Sequence, residues 1–175
     1  MQIDCPSCLL RPLVEADAES LALHANDHGV WRNLRDRFPH PYTVADAQAY
    51  IAHAAARPVQ TSFGIVVDGE AIGNIGLMLG EDIARRSAEV GYWIGRAFWG
   101  RGIAVDALRA TTQYAFDSLA LARVFAVPFA TTSRSVRVLE KAGYVKEGVM
   151  RHSAVKEGRL LDQLLYAAYS PSVSA

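Results

Sequence analysis

The chain has 175 residues, 51% of them hydrophobic, and its 18 Lys and Arg balance 18 Asp and Glu for a formal net charge of zero. That length and apolar content suffice for one domain with its own core, expected to run over 1–175 with flexible ends at about 1–7 and 170–175. No residual charge favours nucleic acid or acidic membrane, no apolar run approaches about eighteen residues, and MQIDCPSC lacks a signal-peptide layout, so the expected location is the cytoplasm.

Cys5 and Cys8 form a C-x-x-C, and with His24 and His28 the spacing reaches the upper edge of a zinc-finger pattern. A finger is a minimal unit that folds around its metal, whereas residues 9–13 read as the first strand of a larger domain. The cysteines are therefore read as reduced thiols near a flexible terminus, with zinc and then a redox pair as the lesser alternatives, and no metal site is claimed. Asp17 is placed to cap a helix whose Ala18, Leu21, Ala22 and Ala25 make one apolar face. Trp31 and Leu34 suggest a second short helix, and the two prolines within 38–42 demand a loop. Thr43 to Asp46 is a capping-box start for the helix carrying Ala47, Tyr50, Ile51 and Ala54.

Residues 63–67 and 71–79 flank Asp68-Gly69 as a hairpin, with Gly73 and Gly76 marking bulges or close backbone contacts in its second strand. Val90, Tyr92 and Ile94 then alternate with Glu89, Gly91 and Trp93 as a strand does, and Ala104, Ala107, Leu108 and Thr111 recur at helical spacing. Gly100 and Gly102 fall where the period changes. They let the backbone pass close to a ligand, and the amides of the helix's first turn favour an anion, so the turn reads as a pyrophosphate site. Trp99-Gly100-Arg101-Gly102-Ile103-Ala104 fits neither a Walker loop nor a Rossmann turn. Residues 123–129 supply a further strand broken by Pro128. Ser133 is expected to cap a helix with Val136, Leu139 and Ala142 inward and Gly143 at its end. Residues 145–152 and 164–169 close the chain as a hairpin about Glu157-Gly158, followed by a polar tail.

The turn resembles the coenzyme A motif [Q/R]-x-x-G-x-[G/A] of the GNAT superfamily of N-acetyltransferases, with Gly102 and Ala104 on its last two marked positions and Trp99 in place of Gln or Arg. GYWIGRAFWGRGIAVDAL is similar to the ribosomal-protein alanine acetyltransferase branch, where an aromatic at that place is ordinary. Residues 132–144 resemble N-x-x-S-x-x-V-L-E-K-x-G-F, with Thr132 for Asn, Tyr144 for Phe, and Leu139 where many relatives carry a tyrosine acid.

The resemblance implies an α/β single domain with a mixed, largely antiparallel central sheet splayed at the middle and flanked by helices. It also implies acetyl-CoA as acetyl donor, held by Trp93, Ile94, Trp99, Gly100, Arg101, Gly102, Ile103, Ala104, Thr132 and Ser135. Trp31, Phe38, His40 and Tyr42 would line the acceptor cleft, although the Trp and Phe also suit packing. The amine must be neutral to attack, the developing oxyanion needs a donor, and the thiolate must take up a proton. Glu89 is the first candidate base, with a plain ion pair to Arg85 or Arg86 as its alternative. Some relatives place that carboxylate near Ala154, where this chain has none, which raises Glu89 modestly; with Leu139 at the tyrosine position, Ser135 is the remaining hydroxyl for the departing sulfur. His152 reads as a solvent or packing residue. No covalent nucleophile is indicated, so direct transfer in a ternary complex is expected rather than a ping-pong route. A protein N-terminus heads the acceptor classes. A polyamine, an amino acid or an aminoglycoside is the alternative, and a coenzyme-binding module without turnover is a third; partners other than the amine are not expected to include nucleic acid or membrane, and a homodimer stays open.

Overall fold

A computed structural model of the chain describes residues 1–172, so that 173–175 of the expected polar tail lie outside it. The strands hydrogen-bond in the order β1-β2-β3-β4-β5-β6-β8-β7. They are β1 (Ile3–Cys5), β2 (Cys8–Arg11), β3 (Ser62–Val67), β4 (Glu70–Leu79), β5 (Ser87–Ile94), β6 (Arg123–Ala126), β7 (Val145–Lys156) and β8 (Arg159–Tyr169). Helices are α1 (Ala18–Ala25), α2 (His28–Trp31), α3 (Val44–Ala55), α4 (Ile103–Asp117) and α5 (Ser133–Lys141). The chain divides into two compact units, Met1–Gly76 with Tyr92–Ala107 and Leu77–Gly91 with Leu108–Ala175, and β4, β5 and α4 contribute one end to each. Among the described residues no helix is long and apolar enough to cross a membrane.

In the first unit the expected strand over 9–13 begins one residue earlier and ends at Arg11, because Pro12 has no N–H to donate. Within the stretch expected to be a flexible end, Ile3–Cys5 pairs with β2 across Pro6-Ser7. β2 and β3 are antiparallel, as are β3 and β4, whose Asp68-Gly69 turn has φ of 50° and 85°, both in the left-handed region that a tight hairpin turn requires. The ladder slips between Ile65 and Val66, making Ile72 the extra residue of a bulge just before Gly73. Thr43 Oγ1 accepts from the Asp46 N–H at 3.2 Å and Asp46 Oδ2 accepts from the Thr43 N–H at 2.8 Å, the reciprocal capping box expected from their spacing. Leu21, Ala25, Ala47, Ile51, Val66 and Ala71 join in one apolar cluster with Phe38, Tyr42 and Trp93.

Asp17 takes the N-cap position of α1, as expected, but its side chain makes no capping bond. Its two oxygens accept from both terminal nitrogens of Arg11 at 2.7 Å, and Oδ2 also accepts from the Val14 N–H at 2.8 Å. Burial pushes the Asp17 carboxyl up, but the Arg11 hydrogen bonds, the Val14 N–H and the guanidinium charge more than reverse this and hold it below its ordinary value. A carboxylate held low stabilises the fold above its unfolded value of about 4, and that stabilisation is lost as the pH falls through the folded value. Asp17→Asn is expected to cost roughly 1.5–3 kcal/mol at neutral pH, the range for hydrogen bonds to charged groups, and the deficit should shrink on acidification. Urea unfolding of both proteins at pH 7 and near pH 3 checks this, and a pH-independent deficit contradicts it.

In the second unit β6 runs parallel to β5 for three rungs, Ser87 to Arg123, Ala88 to Val124 and Glu89 to Phe125, and antiparallel to β8. The ladder between β5 and β6 stops at Glu89, as expected from a strand that Pro128 interrupts. β7 and β8 form a longer hairpin than the sequence suggests, closed by Glu157 and Gly158 at φ 49° and 72°. His152 lies inside β7 at a break in register, exposed, with its N–H donating to Asp162 Oδ1 at 2.8 Å. Thr132, not Ser133, takes the N-cap position of α5, and its side chain makes no capping bond. At the other end Tyr144 N–H donates to Leu139 O at 3.0 Å and Gly143 N–H to Glu140 O at 3.1 Å, with Gly143 at φ 94°, a Schellman closure.

Candidate functional site

β5 ends at Ile94, a single 3₁₀ turn spans Arg96–Phe98, and Trp99 to Gly102 lead directly into α4. Gly100 and Gly102 stand at φ 81° and 83°. Side chains rarely adopt that region, so the two glycines fix the path that turns strand into helix. The Gly102 carbonyl accepts from Val105 N–H at 2.9 Å and Asp106 N–H at 3.2 Å. The amides of Ile103 and Ala104, ahead of these, have no carbonyl one turn back within α4, and with the positive end of the helix dipole they suit a phosphate. The donor set is therefore backbone N–H on an exposed turn, which matches the chemistry of a pyrophosphate.

Trp99 occupies the motif position usually held by Gln or Arg, and its contacts give it a structural task. Its indole N–H donates to the Ile94 carbonyl at 2.7 Å, and its ring lies against Gly29. The side chain thus ties the end of β5 to the start of the turn. Arg101 is exposed, with its guanidinium over the Phe98 ring at 5.1 Å.

The strand end is held from below as well. Gly95 N–H donates to Ile72 O at 2.8 Å. A Cβ on Gly73 would fall on the Trp93 carbonyl oxygen and lie 2.9 Å from the Ile94 Cα, so the backbones of β4 and β5 meet here at a separation only glycine permits. Beside it, buried Asn74 donates to Phe63 O at 2.8 Å and accepts from the Tyr50 hydroxyl at 2.8 Å. On the other side, His24 packs its ring on Gly95, meets Phe98 edge-on at 5.3 Å and reaches Glu70 Oε1 at 2.7 Å through Nε2. Gly73→Ala should cost about 1–3 kcal/mol through overpacking and weaken coenzyme binding by shifting Ile94. Thermal unfolding with a parallel acetyl-CoA titration checks both effects, and unchanged affinity in the folded fraction removes Gly73 from the site's support.

The four acceptor-side residues separate into two pairs. Phe38 and Tyr42 stack at 4.7 Å, Phe38 meets Trp93 edge-on at 5.6 Å, and Tyr42 is buried in the apolar cluster. Burial, then the charges of Asp46 and Tyr50, push the Tyr42 phenol up to about 12, so it stays protonated and packs. Trp31 and His40 instead stack at 5.3 Å nearer the surface, with the His28 ring 5.6 Å from Trp31 and 5.9 Å from His40. Asp27 caps α2 through the Val30 N–H at 3.2 Å and faces Arg96 at 3.9 Å. The zinc-like spacing does not converge: Cys5 faces Cys8, His24 engages Glu70, and His28 joins the aromatic group. Among the described residues no group of three or more His, Cys, Asp and Glu is arranged to hold a metal ion.

Glu89, Thr132 and Ser135 belong to the second unit. Glu89 is half-buried on the last rung between β5 and β6, opposite Phe125. Thr132 donates its N–H to Phe129 O at 2.9 Å, and its carbonyl accepts from Val136 at 3.2 Å, leaving Ser135 half-buried in the first turn of α5. Gly73 makes the close backbone contact expected of it, with β5 as the partner, whereas Gly95 and His24 were not expected as supports. Only the glycine at 73 carried a signal, a small residue interrupting an apolar strand.

Residues 8–145 match the acetyltransferase (GNAT) domain family. The chain is 32% identical over 169 residues to the protein named Probable N-acetyltransferase YjcK of Bacillus subtilis, covering 93% of each. Among solved structures it resembles RimL, the ribosomal L7/L12 alpha-N-protein acetyltransferase in complex with coenzyme A, with a TM-score of 0.86 at 18% identity over 99% of this chain and 100% of that one. The ribosomal-protein-S5-alanine acetyltransferase of Vibrio fischeri gives a TM-score of 0.82 at 19% identity over 100% of both chains. At those identities the two structures speak for the fold.

Proposed function

The chain belongs to the GNAT acetyltransferase family, and on that premise we propose that it moves an acetyl group from acetyl-CoA to a protein N-terminal amine by direct attack in a ternary complex. The observation that carries the reading is the turn at Gly100 and Gly102, which opens α4 with anion-seeking amides at the end of β5. Acetyl-CoA supplies the activated thioester, and the pyrophosphate would lie on the backbone of 100–104. The choice of a protein N-terminus draws support from the ribosomal-protein acetyltransferases whose fold the chain shares over its length.

Strand geometry supports one choice of oxyanion donor. Amides alternate sides along a strand, and Gly95 N–H points to β4, so the Ile94 N–H is directed away from it. Trp99 occupies the Ile94 carbonyl, which belongs to the following peptide, and so braces the residue that carries this N–H. Ile94 N–H is therefore our donor to the developing oxyanion, and Trp93 lends its ring to the packing with Phe38. Glu89 takes the ammonium proton, directly or through water, and Ser135 delivers a proton to the departing sulfur. Trp31 and His40 are the surface residues that contact the acceptor, whereas Phe38 and Tyr42 shape the wall from within.

Thiol release from acetyl-CoA, measured with peptides bearing different N-terminal residues, polyamines, amino acids and an aminoglycoside, tests the proposal. Turnover with peptides at least about tenfold above every small amine is expected; the reverse order assigns the enzyme to small molecules, and binding without release to any acceptor makes it a coenzyme module. Ser135→Ala should lower saturated turnover by roughly ten- to a thousandfold, with a smaller change in acetyl-CoA affinity. Equal affinity loss at an unchanged saturated rate would make Ser135 a binding residue.

A further inference from the structure

The cysteine motif that the transfer reaction leaves unused is built as a pair. Cys5 ends β1, Cys8 begins β2, and the two are direct cross-strand partners around Pro6-Ser7. Opposed residues of an antiparallel pair have Cα atoms about 4.5–5.5 Å apart, inside the window of about 4.4–6.8 Å that a disulfide accepts. Both are thiols and half-buried, so small reagents reach them without unfolding. The Cys5 S–H donates to Ile3 O at 3.8 Å.

The pair is also wired to the candidate coenzyme helix. Ser7, inside the two-residue turn, donates its hydroxyl to Asp106 Oδ2 at 2.6 Å. Asp106 sits in the first turn of α4, where its own N–H bonds the Gly102 carbonyl. A carboxylate at a helix N-terminus competes with a bound anion for the same dipole, and its position depends on what holds it.

We propose that Cys5 and Cys8 are a dithiol that a small-molecule disulfide oxidises to an intrachain disulfide, and that the oxidation state is transmitted through Ser7 and Asp106 to the first turn of α4. Cys5 attacks first, since the side-chain hydrogen bond with Cys8 lowers its thiol below the ordinary value while the same bond and burial raise Cys8. The Cys5 thiolate forms a mixed disulfide and expels one thiolate of the reagent. Cys8 then gives up its proton and attacks the Cys5 sulfur, expelling the second. Two protein thiols lose two electrons and two protons, and the reagent leaves as two thiols. Drawing the sulfurs into a bond tightens the turn that carries Ser7, which moves its hydroxyl relative to Asp106.

Incubation of the full chain across a series of reduced and oxidised glutathione, followed by intact mass and peptide mapping, tests the pair. Loss of two hydrogens in one step, with a linked peptide joining Cys5 and Cys8, is expected. Cys8→Ser should instead accumulate one glutathione adduct on Cys5. Two adducts on the wild type, or thiols that stay reduced while the chain remains folded by circular dichroism, overturns the proposal. Acetyl-CoA titration of the oxidised and reduced forms tests transmission, with affinity several-fold weaker in the oxidised form and no such dependence in the Cys5→Ser, Cys8→Ser double variant; equal affinities overturn it. This titration rests on the coenzyme-turn reading, whereas the mass measurement does not, so a failure of either is told apart.

Discussion

Gly102→Val is expected to abolish acetyl-CoA binding while the protein remains folded. Gly102 stands at φ 83°, and a β-branched residue there must either hold a left-handed conformation, at roughly 1–3 kcal/mol, or swing the turn back to negative φ. Either outcome acts on the ligand site, because the Gly102 carbonyl receives the first two bonds of α4 and the peptide that follows starts the row of anion-facing amides. Stability should suffer less, since Gly102 is exposed and nothing lies within 4 Å of where its Cβ would stand. Titration calorimetry at acetyl-CoA concentrations that saturate the wild type should give no heat of binding. Arg101→Ala should retain binding with a modest loss, because its guanidinium rests on Phe98 and the backbone carries the site. Undiminished affinity in folded Gly102→Val would remove the pyrophosphate from this turn.

The same turn illustrates what a sequence discloses. Gly100 and Gly102 were legible because a positive φ selects glycine on local grounds alone, as were Asp68-Gly69 and the reciprocal Thr43 and Asp46 cap. Asp17 shows where local reasoning stops short: it takes the N-cap position its spacing suggests, yet the bidentate fork of Arg11 takes the two oxygens in place of the helix amides. Ser133 fails by one residue, within the ordinary uncertainty of a helix start. Trp99 looked like a departure from a phosphate motif, and only the carbonyl of Ile94 explains it. The reason for Gly73 likewise lies about twenty residues away, in the backbone of Trp93 and Ile94. At the amino end, residues 1–7 carried no periodicity and were read as a flexible end, but proline is at home in a turn between two short strands. Partners distant in the chain fix these roles, and no periodicity encodes them.

Glu89→Gln should lower saturated turnover by about a hundredfold or more near neutral pH, if Glu89 removes the ammonium proton. Glutamine keeps the size and much of the hydrogen bonding of the side chain, so the half-buried position on the last rung between β5 and β6 stays filled and the opposite residue Phe125 keeps its neighbour. What disappears is the ability to accept a proton. An N-terminal amine titrates near pH 8, so a growing share arrives already neutral as the pH rises, and the variant should regain much of its rate in alkaline buffer while the wild type changes little. A Glu89 that serves only as an ion-pair partner for Arg85 or Arg86 predicts a different result: a lower melting temperature, with the folded enzyme keeping its rate and pH profile. Rates at saturating acetyl-CoA and peptide, compared at matched folded fraction across the pH range, separate the two. Near-wild-type turnover throughout would leave water on the backbone of β5 as the proton acceptor and take Glu89 out of the chemistry.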